Sequence, residues 1–340
     1  MSNNVITAPT DAATDPTANA SASIENGTET GTETGTVLIL GASGKIGHHA
    51  SRAFAAAGWK VRHYDRAAGD MSAAAQGADV IVNGLNPPAY HNWAVLIPQI
   101  TAQVIAAAKA SGATVILPGN VYNFGTAPGP WSEQTPQRPN SKKGRIRVEM
   151  EQAYAASGVQ TVVLRAGDFI APGHDDVMSL VLMRSIASGK LTSPGDAEAM
   201  HAFCYVPDWA RAAVDLMEMR QSLGRFEDVP FPGHSLSVSI LIQGLESVFG
   251  RKLRLVGFPW WLISLTSPVW EMARELREMR YLWSLPHQLS GVRIGQLLPQ
   301  FKTTPLREVL SACLPEEMRQ AEGLAQDAAP LATATQPGRS

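Results

Sequence analysis

Three glycines, Gly41, Gly44 and Gly47, close a short apolar run, Val37–Leu40, and open a segment of helical composition, His48–Ala57. Glycines at this spacing can receive a pyrophosphate. The first allows a tight turn, the second lets a phosphate approach the backbone, and the third brings helix and strand close together. Ser43, Lys45 and Ile46 complete the loop, and the helix start adds free N–H groups and a partial positive charge. Roughly twenty residues beyond the last glycine, where a carboxylate can reach the adenosine ribose hydroxyls, Asp65 ends the strand-like stretch W-K-V-R-H-Y. Arg66 and Lys45 argue the other way, since either could meet a 2′-phosphate. At an effective dielectric of about 20, a carboxylate beside a phosphate costs up to about 4 kcal/mol. An arginine–phosphate bond returns roughly 1.5–3 kcal/mol. NAD and NADP therefore both stay open, with a lean to NAD because Asp65 holds the strand end.

These groups need a frame. Asp79–Gly84 reads as a third strand, and the loop N-G-L-N-P-P that starts at Asn83, Gly84 and Leu85 falls at the carboxyl edge of the sheet, where ligands bind in such folds. Asp70–Met71 precede a short helical stretch, Ser72–Gln76. A long amphipathic helix over 93–111 leads to a fourth strand, Ala113–Leu117. Strands and helices alternating at this spacing predict an α/β protein with a doubly wound parallel sheet, a Rossmann fold. Beyond Pro172 the pattern changes. Asp176–Ser188 reads as an amphipathic helix, His201–Val206 as a strand returning to the main sheet, and 209–219 and 235–250 as helices. Leu253–Val256 reads as another strand. The expected organisation is a disordered tail (1–35), a dinucleotide-binding domain (36–172), a smaller C-terminal α+β substrate lobe (173–316, with 200–219 returning to the sheet) and a flexible tail (317–340).

Composition narrows the function. The 340 residues are 45% hydrophobic and 17% charged, with a formal net charge of −2, which leaves no electrostatic footprint for nucleic acid. Two cysteines, Cys204 and Cys313, make no disulfide framework, and a reducing, cytoplasmic setting is expected. Residues 1–35 lack Lys and Arg and carry the repeat T-E-T-G-T-E-T-G, which reads as a solvated tail and not as a signal or transit peptide. Phe258–Trp270 is apolar but short and interrupted by Pro259 and Pro268, so a buried or interfacial segment is expected there and not a membrane span. The aromatic stretch 260–283 suggests an apolar-walled cleft, and within it 270–283 reads as core, as a cover over substrate, or as the contact of a homodimer. His174, Asp175 and Asp176 look like metal ligands by composition, but consecutive residues rarely converge on one ion, and no metal is expected.

Taken in order, the motifs resemble the extended short-chain dehydrogenase/reductase family of NAD-dependent epimerases and dehydratases. The likeness runs over about 36–315. Its G-x-x-G-x-x-G is Gly41, Gly44 and Gly47, its strand-end acid Asp65, and its adenine contact Asp70–Met71. Its G-x-D-V-[IV] is Gly77–Ile81, its V-Y Val121–Tyr122, and its T-P-x-x-P Thr135–Pro139. The strand ending in R-x-G is Val162–Gly167, V-x-D-x-A is Val206–Ala210, and the closing L-P-x-F-x-x-T-P-L is Leu298–Leu306. The resemblance implies hydride transfer between C4 of a nicotinamide and a small carbonyl or hydroxyl substrate, sugar-nucleotide-like or more apolar. It also implies a catalytic Ser, Tyr and Lys.

None of the three is present. Their positions fall on Pro118, Lys143 and Arg147. Arg147 can still donate to a ribose, although its charge cannot be tuned as a lysine's can. Lys143, beside Arg147 and an oxidised nicotinamide, is expected to lose basicity and become a candidate acid/base. Tyr122 is a second candidate acid, Asn120 a donor to a substrate carbonyl, and Asp168 a residue lining the nicotinamide and substrate. The competing expectation is a non-catalytic, dinucleotide-dependent sensor or regulatory protein; a weaker one is a structural subunit whose aromatic lobe docks on a partner or a membrane.

Overall fold

A computed structural model describes residues 35–314 apart from His174, together with Met318. The tails 1–34 and 315–340, Met318 aside, and His174 of the metal-like triplet lie outside the described residues. In chain order the elements are β1 (Thr36–Leu40), α1 (Lys45–Ala56), β2 (Lys60–Tyr64), α2 (Met71–Ala75), β3 (Val80–Asn83), α3 (Trp93–Ser111), β4 (Thr114–Gly119), α4 (Lys142–Ala156) and β5 (Thr161–Arg165). The second half adds β6 (Asp168–Ile170), β7 (Lys190–Ser193), β8 (His201–Tyr205), α5 (Val206–Glu218), β9 (Phe226–Pro230), β10 (His234–Leu236), α6 (Val238–Phe249) and β11 (Arg254–Gly257). It ends with α7 (Trp260–Thr266), α8 (Glu271–Met279), α9 (Val292–Leu297) and α10 (Leu306–Cys313).

The main sheet is parallel, with strand order β2-β1-β3-β4-β5-β9. V-L-I-L in β1, V-I-V-N in β3 and T-V-V-L-R in β5 are buried along their length. Unbroken apolar runs of this kind mark strands covered on both faces. Phe54 of α1 and Trp209 of α5 belong to the core on one face, and Ile97 and Val104 of α3 with Tyr154 of α4 to the core on the other. The order reverses between β1 and β3, which places a crevice at their carboxyl ends. Gly112, at φ +75, ends α3 in the left-handed conformation, where a side chain would be strained.

Four expectations need correction. β8 does not join the main sheet; it lies between β10 and β6 in a three-stranded sheet of its own, and only the following α5 returns to pack on α1. The sixth strand of the main sheet is β9, F-E-D-V-P, which was not foreseen because an edge strand with two acids lacks an apolar run. Residues 176–188 form one π-helical turn (178–182) and one 3₁₀ turn (186–188) in place of a helix, with Asp176 accepting from Ala171 N and Ser179 N. Residues 234–236 are strand β10, and α6 starts only at Val238, capped by Ser237.

Candidate active site

Steric exclusion shapes the glycine turn. Gly41 takes φ +74, and a β-carbon on Gly47 would stand 2.2 Å from the Gly41 carbonyl oxygen. Gly44 differs: a β-carbon there meets only the Gly41 oxygen, at 3.4 Å, and the backbone is extended. The chain's own packing therefore tolerates a side chain at 44. What that side chain would obstruct is the approach to the first turn of α1, which has no side-chain cap and no acidic residue. An uncapped helix start with a clear approach is a binding place for phosphate oxygens. Ser43 is exposed in the turn, while Gly44, Lys45 and Ile46 line a cavity of about 410 Å³. Lys45 donates to the Phe169 carbonyl at 3.4 Å. Burial lowers its pKa, against the raising charges of Asp176, Asp168 and Asp175.

Tyr64 pairs with Leu40, so Asp65 emerges beside Gly41 at the strand ends. Its carboxylate accepts from Ala67 N at 2.9 Å. Arg66 is exposed in the turn that follows, Asp70 caps α2 through Ser72 N, and Met71 is buried. These four stand along the β2 side and do not wall the cavity. Asn83, Gly84 and Leu85 do line the cavity; Asn83 accepts from Leu85 N and donates to the Tyr154 hydroxyl.

Asn120, Tyr122, Arg147 and Asp168 also line the cavity, joined by Tyr90, Trp93 and Asn86. The Tyr122 and Tyr90 hydroxyls are 3.3 Å apart. Burial pushes the Tyr122 phenol well above its ordinary pKa, and the Tyr90 phenol also rises, so both stay protonated at neutral pH. Arg147 donates to Asn86 Oδ1 at 2.9 Å, and its guanidinium lies 4.6 Å from the Trp93 ring centre. Asn120 Oδ1 accepts from Tyr122 N at 3.1 Å, and the Asn120 carbonyl accepts from Arg165 at 2.7 Å. Arg165 is fully buried between Glu151 of α4 and Asp228 of β9, each 2.7 Å away. One guanidinium thus fixes α4, β5, β9 and the Asn120 loop together. Close packing adds to this, because a β-carbon on Gly144 would come within 2.4 Å of the Tyr122 carbonyl oxygen.

Lys143 is not in the cavity. It sits on α4 one turn before Arg147, is 1% exposed, and its ammonium pairs with Glu275 and, at 2.8 Å, with Glu278. Burial would raise the Glu278 carboxyl, but the bonds and charge of Lys143 outweigh it and hold it below its usual value. α8 brings these two acids to Lys143 from more than 130 residues away in the chain. Pro118, at the serine position, does line the cavity and offers it no hydroxyl.

Three residues in or beside the cavity were missed by sequence reasoning. Tyr90 is held at φ +60, in the left-handed region rarely taken by a side-chain-bearing residue. Strain of this kind gathers at functional sites, but no residue type announces it. Trp93 was read only as the start of a helix. His201 bonds Asp168 at 2.7 Å and stacks on Trp283 with ring centres 4.2 Å apart; a lone histidine in a strand gave no signal. Among the described residues no cluster of His, Cys, Asp and Glu is placed to hold a metal.

A parallel sheet with a phosphate-ready turn at its switch point, opening on a cavity lined by paired phenols and a guanidinium, defines a dinucleotide-dependent enzyme fold. The family model of the NAD dependent epimerase/dehydratase family matches residues 37–229, and the chain belongs to that family. It is therefore an NAD-dependent enzyme of the epimerase/dehydratase type. Solved structures share the fold at low identity. MoeE5 in complex with UDP-glucose and NAD is 16% identical (TM-score 0.65), covering 84% of this chain and 99% of that one. UDP-glucuronic acid 4-epimerase from Bacillus cereus, in complex with UDP-glucuronic acid and NAD, is 17% identical (TM-score 0.64; 84% and 99%). UDP-glucose 4-epimerase from Brucella ovis, in complex with NAD, is 18% identical (TM-score 0.63; 85% and 98%). A comparison with curated proteins finds no match.

Proposed function

We propose that this protein interconverts a secondary alcohol and a ketone on a small substrate with an apolar body, using NAD, and that Tyr122 with Tyr90 handles the proton. One observation carries the reading: the uncapped start of α1 and the Tyr90–Tyr122 hydroxyl pair open onto the same cavity. When bound, NAD accepts or donates the hydride at its nicotinamide ring. The residues supply the rest. Amides of the Gly44–Gly47 turn and the Lys45 ammonium would hold the phosphates, and Asp65 the adenosine ribose. Arg147, braced by Asn86 and Trp93, replaces the family lysine as a fixed positive charge. Tyr122 donates a hydrogen bond to the substrate oxygen, and Tyr90 completes a two-phenol path for its proton. The Asn120 amide is free to orient that oxygen once its Oδ1 is committed to Tyr122 N.

The substrate class follows from the walls. The neighbours bind UDP-sugars, whose diphosphate calls for cations. Here the cations on the cavity wall are Lys45 and Arg147, both on the cofactor side, while Arg274, Arg277 and Arg280 lie elsewhere. Tyr90, Trp93, Ile97, Ile100, Val121, Met150 and Val177 present an aromatic and aliphatic surface. Two further parts belong to the same reading. An apolar groove between α3 and α4, lined by Ile97, Pro98, Ile105, Ile146 and Ala153, supports a homodimer. A content of two cysteines in 340 residues supports a cytoplasmic setting.

The test is a thermal-shift panel with NAD, NADH, NADP and NADPH, followed by nicotinamide turnover on apolar ketones and on UDP-sugars. Stabilisation by NAD(H) with turnover of an apolar ketone is expected. No shift with any dinucleotide, or turnover confined to UDP-sugars, overturns the reading.

A further inference from the structure

The stretch 258–270 contains no charged residue, and the structure turns one side of it outward. Trp260 donates its indole N–H to the Pro194 carbonyl, and Ile263 is buried, so these two anchor α7. The opposite stripe carries Trp261 (71% exposed), Leu262, Leu265 (70%), Val269 (89%) and Trp270. A cluster of this kind on a protein surface marks a contact site.

Its surroundings identify the partner. Four exposed arginines touch this segment. Arg274 reaches the Ser267 and Pro268 carbonyls, Arg277 donates to Ser267 Oγ at 2.6 Å, Arg280 lies over Trp260, and Arg184 over Phe258. Two of the three acids of α8, Glu275 and Glu278, are committed to Lys143, while Glu271 bonds His91 and also feels the charge of Arg274. The segment therefore presents an apolar tip beside four arginines that outnumber the one acid left near them. Two partly exposed tryptophans and three aliphatic chains amount to a few hundred Å², less than the ~800 Å² that each partner gives to a stable protein interface. Interfacial insertion needs no such area. Trp and Leu at the headgroup–acyl boundary with flanking cations suffice to hold a surface element on an anionic bilayer.

We propose that the α7 tip is a membrane-docking element that seats Trp261, Leu265, Val269 and Trp270 in the interface of an anionic lipid bilayer, with Arg184, Arg274, Arg277 and Arg280 on its headgroups. α8, which carries Arg274 and Arg277, also holds Lys143 on α4, so docking would bring the cavity alongside the membrane.

The test is vesicle flotation of the full chain with phosphatidylcholine alone and with about one-third phosphatidylglycerol added. The protein is expected to float with the anionic vesicles, less so as salt rises, and to stay down with the neutral ones. Trp261→Ser/Leu265→Ser should lower the bound fraction about tenfold, and Arg274→Gln/Arg280→Gln should remove the preference for anionic lipid. The NAD-induced thermal shift, retained in both variants, shows that they are folded. Failure of the full chain to float, or flotation unchanged in the tip variant, overturns the proposal. So does a full chain that self-associates through this face, dispersed by Trp261→Ser/Leu265→Ser, without binding vesicles; that result assigns the tip to a second copy.

Discussion

The glycine turn and the first turns of α4 are built on opposite principles. The turn is defined by what cannot fit, since a single carbon added at Gly47 collides with the backbone. The start of α4 is defined by what is paired: Lys143 with two glutamates of α8, Arg147 with Asn86 and Trp93. Sterics impose their requirement through residues adjacent in the chain. Charge pairing imposes it through partners that only the fold supplies. Two cations one helical turn apart can therefore have unrelated fates, one lining the cavity and one serving as a strut.

The sharpest way to break this contrast is Tyr122→Phe. If the phenol handles the proton, turnover should fall by about 10²- to 10⁴-fold with NAD binding intact, as stopped-flow reduction and a thermal shift would show. Lys143→Met addresses the strut. It leaves two carboxylates facing an apolar side chain, and a loss of about 3 kcal/mol in denaturant unfolding is expected, with the pH profile of turnover unmoved. Collapse of turnover at unchanged stability would return Lys143 to the chemistry.

A comparable effect, confined to acid, involves His287, which is 1% exposed and stacked on Trp131. Burial, then the charge of His201, lowers its pKa to about 4 from 6.5. Between those values the unfolded chain binds a proton that the folded chain refuses, so stability rises with pH across the window and is lost as pH falls through it. The change is on the order of 3 kcal/mol, and His287→Phe should flatten that part of the stability curve. The smallest effect is the most discriminating. Gly44→Ala suits an extended backbone, but alanine is a poorer N-cap than glycine, so the apoprotein should stay within about 1 kcal/mol of its stability, while the melting-temperature gain from NAD is abolished. A variant that keeps the gain shows that nothing approaches the backbone there.

The same contrast explains what could be read in advance. β1, β3 and the long helix α3 follow from local apolar runs, and the phosphate turn from spaced glycines, because each requirement falls on neighbouring residues. Asp65 was legible for the same reason: it ends a strand whose place beside β1 is set by the fold class. β9 was missed because Glu227 and Asp228 are paired with Arg293 and Arg165, more than sixty residues away in each case. The pairing of Lys143 could not be read because α8 was unplaced, and Tyr90 was missed because its backbone angle leaves no trace in residue type. The replaced Ser, Tyr and Lys positions could be read from the sequence, and so could Tyr122 and Arg147 as candidates in their place; the Tyr90 hydroxyl beside Tyr122 could not.

The buried guanidinium of Arg165 also has a consequence for synthesis on the ribosome. Its two carboxylates come from positions 151 and 228, and until the second emerges the nascent chain must either leave this charge hydrated or bury it half-neutralised. The nucleotide-binding layer therefore cannot close in the order in which it is translated. Its final consolidation waits for residue 230, long after the glycine turn has left the exit tunnel.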